Sequence, residues 1–157
     1  MQFFISSIEK QFSRLHENSC QLIKSTPTDK LFWQPRKTIE ALPIYSCGEY
    51  ILRSAGAVEQ TFNGIATKLW DDPFEWTLPE ELSDNQKILE YFAEVEEIRK
   101  RGFALLTTDS ELQKQFPAPV KLKTIFELLL ETLTRAENYQ GRAFATFRLF
   151  SDAKIPS

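Results

Sequence analysis

Few residues in this chain are of a type that does chemistry, and their spacing narrows them further. There is one histidine, His16, and two cysteines, Cys20 and Cys47. A three-histidine or cysteine-rich metal cage cannot be built from one copy of that set. His16 and Cys20 are four residues apart, the helical spacing that sets an imidazole base beside a thiol nucleophile. The plainer reading leaves His16, flanked by Glu17 and Asn18, exposed and inert, and Cys20 as filler, since free cysteines are usually buried and unreactive. Glu94, Glu96 and Glu97, with Glu80 and Glu81, resemble the acids of a carboxylate-bridged dimetal bundle. That design requires Glu-x-x-His pairs, and no second histidine exists to supply them, so a solvated acidic face is expected. Asp71-Asp72 and Asp109 lack calcium-loop spacing. Neither a glycine-rich phosphate loop nor a Gly-x-Ser-x-Gly elbow occurs.

Whatever chemistry remains must be positioned by helices. All eight prolines fall in four clusters, and an interior proline costs a helix about 3 kcal/mol. Four proline-free windows result, roughly residues 1–26, 44–72, 80–116 and 120–155. Each carries apolar residues in steps of three and four. The stripes are Ile5, Ile8, Phe12, Leu15, Leu22; Ile51, Ala55, Val58, Phe62, Ile65, Leu69; Ile88, Phe92, Val95, Ile98, Leu105; and Ile125, Leu129, Leu133, Ala136, Ala143, Phe147, Phe150. No period-two run of β-branched residues competes.

Capping-box pairs mark the helix starts: Ser6 with Glu9, Ser46 with Glu49, Ser83 with Gln86, and Thr124 with Glu127. Helix one has room to begin earlier, at Phe3 and Phe4. Thr26-Pro27-Thr28-Asp29 reads as a separate helical turn with Pro27 at its first position. All five glycines fall inside expected helices. Gly56 and Gly64, eight apart on nearly one face of helix two, are suited to close approach by a neighbouring helix or a ligand. These elements predict an all-α four-helix bundle in a single domain spanning residues 1–157. The linkers before helices two and three are long enough to cross it. Trp33, Trp70, Phe74 and Trp76 lie in those linkers and are expected to pack on the bundle as lids.

Composition sets the outer bounds. The 157 residues are 42% hydrophobic, enough to form a packed core. A net charge of −3 lacks the broad basic footprint of nucleic-acid binding, so no nucleic-acid partner is expected. Met1-Gln2-Phe3-Phe4 has none of the parts of a secretory signal, and no uncharged apolar run nears the roughly 20 residues of a membrane span. A cytoplasmic protein with reduced thiols and no membrane association is the expectation.

Three segments taken in order carry a resemblance. They are Leu31-Phe32-Trp33-Gln34-Pro35; Ser46-Cys47-Gly48-Glu49-Tyr50-Ile51-Leu52-Arg53-Ser54-Ala55-Gly56; and Asn138-Tyr139-Gln140-Gly141-Arg142 followed by Thr146-Phe147-Arg148-Leu149. Over most of its length the chain resembles the DinB/YfiT-like four-helix proteins, whose bundles carry a metal held by three histidines. In that family a Ser or Thr precedes the first ligand histidine by seven residues, and helix four supplies two more, four residues apart. The resemblance carries the three ligand positions onto Arg53, Arg135 and Tyr139. Arginine offers only donors, and tyrosine would have to ionise, so no metal and no cofactor are expected there.

Two readings of those residues stay open. Two guanidiniums and a phenol make a plausible site for a small anionic ligand, with Arg142 on the same cleft. Alternatively Glu49 and Glu131, each four residues before an arginine, neutralise Arg53 and Arg135, and the pocket is structural. The resemblance therefore implies a metal-free, non-catalytic protein of binding or interaction role. It also admits a thiol-dependent transferase, an isomerase-like or a hydrolase-like enzyme using the cleft between helices two and four, and it permits a homodimer.

Overall fold

Four helices account for most of residues 2–36, 44–73 and 79–155, the parts of the chain that the computed structural model describes. They are α1 (Phe3–Ser25), α2 (Cys47–Thr67), α3 (Asn85–Ala104) and α4 (Ile125–Phe147), one in each proline-free window, and they form a four-helix bundle. The stripes meet in one core, in which Phe12, Leu22, Ile51, Phe62, Ile88, Phe92, Leu129 and Phe147 are almost wholly buried. Leu69 and Leu105 do not join it. Both lie past the ends of their helices, α2 and α3, and both are exposed.

Around the bundle the order is α1, α3, α2, α4, with the closest packing between α2 and α4. The connections from α1 to α2 and from α3 to α4 therefore link helices on a diagonal. No helix among the described residues is long and apolar enough to cross a membrane.

The starts of the helices follow the expected caps only in part. Ser46 caps α2, its hydroxyl accepting from the Glu49 N–H at 3.1 Å. Thr124 and Glu127 complete the full reciprocal box at α4. The other two expectations are corrected. The cap of α3 is Asp84, one residue on from Ser83, because its carboxylate accepts from the Lys87 N–H at 2.9 Å. Helix α1 begins at Phe3, and Ser6 lies inside it. Its first N–H groups are capped from across the molecule: Asp109 accepts from Phe4 N at 3.1 Å and Ile5 N at 3.0 Å. Pro27 is likewise just outside the short 3₁₀ turn Thr28–Lys30 rather than its first member.

Aromatic residues of the linkers pack on the bundle. Trp33 meets Phe150 edge to face, with centroids 5.8 Å apart. Lys68 ends α2 in the left-handed region, φ 61°, its N–H bonded to the Gly64 carbonyl at 2.8 Å. That turn folds the chain back, so that the Trp70 ring covers Gly64, where a Cβ would lie 2.5 Å from it. A linker tryptophan, not a neighbouring helix, is what Gly64 admits. Phe74 and Trp76 lie outside the described residues. A small hairpin, β1 (Gln115–Pro117) with β2 (Leu122–Thr124), pairs Phe116 with Lys123 just before α4. Three-residue strands are too short to show a period in sequence, which is why none was expected.

Candidate functional site

The α2–α4 interface places the residues singled out by sequence. Ser54 donates its hydroxyl to the Ala136 carbonyl at 2.8 Å, and the hydroxyls of Thr61 and Thr132 share a hydrogen bond at 2.6 Å. All four residues are buried, where an unmade hydrogen bond costs about 1–3 kcal/mol, so these contacts fix the register of the two helices. Arg53 precedes Ser54 and Arg135 precedes Ala136. The first of these bonds therefore sets both arginines at one level of the bundle.

Arg53, Arg135 and Tyr139 line one cleft of about 120 Å³, together with Gly56, Gln60 and Asp72. Gly56 has no side chain to narrow the cleft between the arginines. Arg142 is not among the residues that line it. Its side chain is exposed, and its Nε donates to Asn138 Oδ1 at 3.2 Å, one turn back along α4.

The two arginines differ in their partners. Arg53 donates to Glu49 Oε1 at 3.3 Å and lies 4.2 Å over the Tyr45 ring, a cation–π contact. Burial opposes its charge, but Glu49, Tyr45 and Tyr139 outweigh burial and hold it protonated. Its Nε is buried without a hydrogen-bond partner among the described residues. Among the described residues Arg135 makes one polar contact, 3.5 Å to Gln60 Oε1. The expected Glu131 partner is taken: Glu131 accepts from Lys123 Nζ at 2.5 Å. No ion pair to Arg135 occurs among the described residues. Neutralisation by glutamate thus holds at Arg53 and fails at Arg135.

Guanidinium groups carry no lone pair for a metal, so the three positions do not suit a divalent cation. No group of three or more His, Cys, Asp and Glu side chains suited to hold a metal ion occurs among the described residues.

A second polar cluster sits between α1, α2 and α3. His16, Ser19, Ser54, Glu96 and Arg99 line a cavity of about 30 Å³, the space of one or two waters. His16 is not exposed as expected. It is mostly covered, with Nε2 3.6 Å from Cys20 Sγ and Nδ1 3.9 Å from Glu96 Oε2. The second distance exceeds a hydrogen bond. Burial lowers the pKa of His16 and raises that of the Cys20 thiol, which keeps both neutral and the sulfur protonated. Cys47 is wholly buried, and burial pushes its thiol up to about 12, partly countered by a hydrogen bond with Thr26. Both thiols are free.

Glu96 corrects the solvated acidic face. Glu94 and Glu97 are exposed, but Glu96 is largely covered and bound by Arg99 Nε at 2.8 Å and Nη2 at 2.6 Å. Arg99, only 2% exposed, was missed in sequence. Its signal was its place on the buried face of α3, four residues after Val95 and four before Phe103.

Comparison of the chain with family models, curated proteins and solved structures finds no match.

Proposed function

We propose that this chain is a DinB/YfiT-like bundle whose α2–α4 cleft binds a small anion and performs no reaction on it. Support comes from position and chemistry together. The three side chains at the family's ligand positions share one cleft, and two of them are permanent cations, of which Arg53 is paired with Glu49 and Arg135 has no ion pair among the described residues. The observation that carries the reading is Arg135, a guanidinium in that cleft with no carboxylate partner among the described residues. A planar guanidinium binds carboxylate or phosphate oxygens in bidentate fashion, and the Tyr139 hydroxyl is a further donor on the same wall.

The test is titration of the full chain with acetate and with inorganic phosphate, following the arginine Nε–H and tyrosine signals by NMR. Saturable shifts at Arg53, Arg135 and Tyr139, weakened at least tenfold in Arg135→Gln, are the expected result. Unmoved signals at all three sink the reading, as does a stoichiometric transition metal in the purified protein.

A further inference from the structure

The cleft does not end at Arg135. Gln60 and Arg135 also line a second hollow of about 310 Å³ that runs toward the hairpin. Its walls are Trp70, Ala118, Pro119, Val120 and Leu128, with Thr61, Thr132 and the Lys123–Glu131 pair between them. The polar groups there are already engaged. Thr61 and Thr132 bond one another, Lys123 bonds Glu131, and Trp70 Nε1 donates to the Pro117 carbonyl at 3.1 Å. What this hollow offers a ligand is therefore apolar surface, and Val120 stands 93% exposed at its edge.

Size and charge then limit the ligand. The polar cleft alone is smaller than the roughly 300–1,000 Å³ of ligand pockets, whereas with the adjoining hollow it falls inside that range. Arg53 is paired with Glu49, which leaves Arg135 as the guanidinium of the cleft without an ion pair among the described residues, and the Asp72 carboxylate lining the same cleft repels a dianion more than a monoanion. One negative charge is the better match.

We infer that the joined cleft takes an organic monocarboxylate, its carboxylate on Arg135 beside Tyr139 and its apolar body along Trp70, Pro119, Val120 and Leu128. This rests on the anion-binding reading above and adds the class of molecule. The two parts of the site act in series. The arginine end fixes orientation, and the apolar end contributes affinity by removing apolar surface from water.

The experiment compares four probes on the full chain by NMR, reading the Arg135 Nε–H and the Trp70 indole N–H. They are acetate, 4-phenylbutyrate, 4-phenylbutanol and phenyl phosphate. Expected are shifts at both residues with 4-phenylbutyrate, binding at least tenfold tighter than acetate, and at least tenfold weaker binding of the alcohol and of phenyl phosphate. Val120→Asn, a change at an exposed position, should weaken 4-phenylbutyrate at least threefold and leave acetate unchanged. Equal affinity for acetate and 4-phenylbutyrate, with Arg135 still responding, overturns this inference and leaves the anion site standing. Tighter binding of phenyl phosphate overturns the monocarboxylate class. Indifference of 4-phenylbutyrate to Val120→Asn overturns the placement of its apolar body. If no carboxylate moves Arg135, both readings fall.

Discussion

Arg99 shows what one buried charge does to its neighbours. Its guanidinium holds Glu96 in two hydrogen bonds, reaches Ser13 Oγ at 3.2 Å and lies 3.7 Å from Glu9 Oε1. Burial raises the proton affinity of Glu96, but the hydrogen bonds and charge of Arg99 outweigh it and hold the pKa below the ordinary 4.5. Burial also prevails at His16, against the pull of Glu96, and holds it below the ordinary 6.5. Both groups bind fewer protons in the folded than in the unfolded chain, so both make stability rise with pH. Their contribution is complete above 6.5. It falls on acidification first through the His16 window below 6.5, then through the Glu96 window below 4.5. Urea unfolding measured across pH should show His16→Gln flattening the upper window and Glu96→Gln the lower. A stability that rises on acidification through 6.5 would contradict this. Sequence supplied the spacing of His16, Cys20 and Glu96. It was silent on burial, because burial depends on which helix packs opposite.

At the scale of the element, each helix start poses the same problem, four N–H groups without partners, and the chain solves it in two ways. Local caps are legible, as at Ser46 and Thr124, since all participants lie within four residues. The α1 start is not, since Asp109 is more than one hundred residues away from Phe4 and Ile5. Its carboxylate is held below its ordinary pKa: desolvation works against this, and the N–H bonds from Ile5 and Phe4 together contribute to outweighing it. Thr124→Ala should destabilise the protein by about 0.5–2 kcal/mol in urea unfolding, the usual cost of a lost cap. Asp109→Ala should speed amide hydrogen exchange at Phe4 and Ile5, whereas Ser6→Ala should leave those amides unchanged. Equal effects of the two substitutions would return the cap to Ser6.

Across the whole molecule, three helices meet at an aromatic cluster. The rings of Phe12, Phe62 and Phe103 stand 5.2–5.7 Å apart, from α1, α2 and α3. Gly102 lets Phe62 reach it: a Cβ there would fall 2.4 Å from the Phe62 ring, whereas nothing lies within 4 Å of one at Gly141. Both are glycines inside helices, and local propensity treats them alike. Packing separates them. Gly102→Ala should destabilise by about 1–3 kcal/mol through overpacking, and Gly141→Ala should stabilise by about 1 kcal/mol through helix propensity. For a chain of this size each kcal/mol moves Tm by about 2–4 °C, so thermal melts would resolve the two in opposite directions. Two shifts of the same sign would refute the contact.

Proline positions, three-and-four apolar spacing and short-range caps determined the helix count and the bundle, because each acts within a few residues and is written in the chain. The order of helices around the bundle, the cap from Asp109, the burial of Arg99 and the tryptophan seated on Gly64 were decided only in the tertiary structure. So was the difference between Arg53 and Arg135. Both have a glutamate four residues before them, yet Glu131 turns to Lys123 on the hairpin, a partner that only the folded chain brings within reach. Charge pairing depends on distance through space, and sequence reports only distance along the chain.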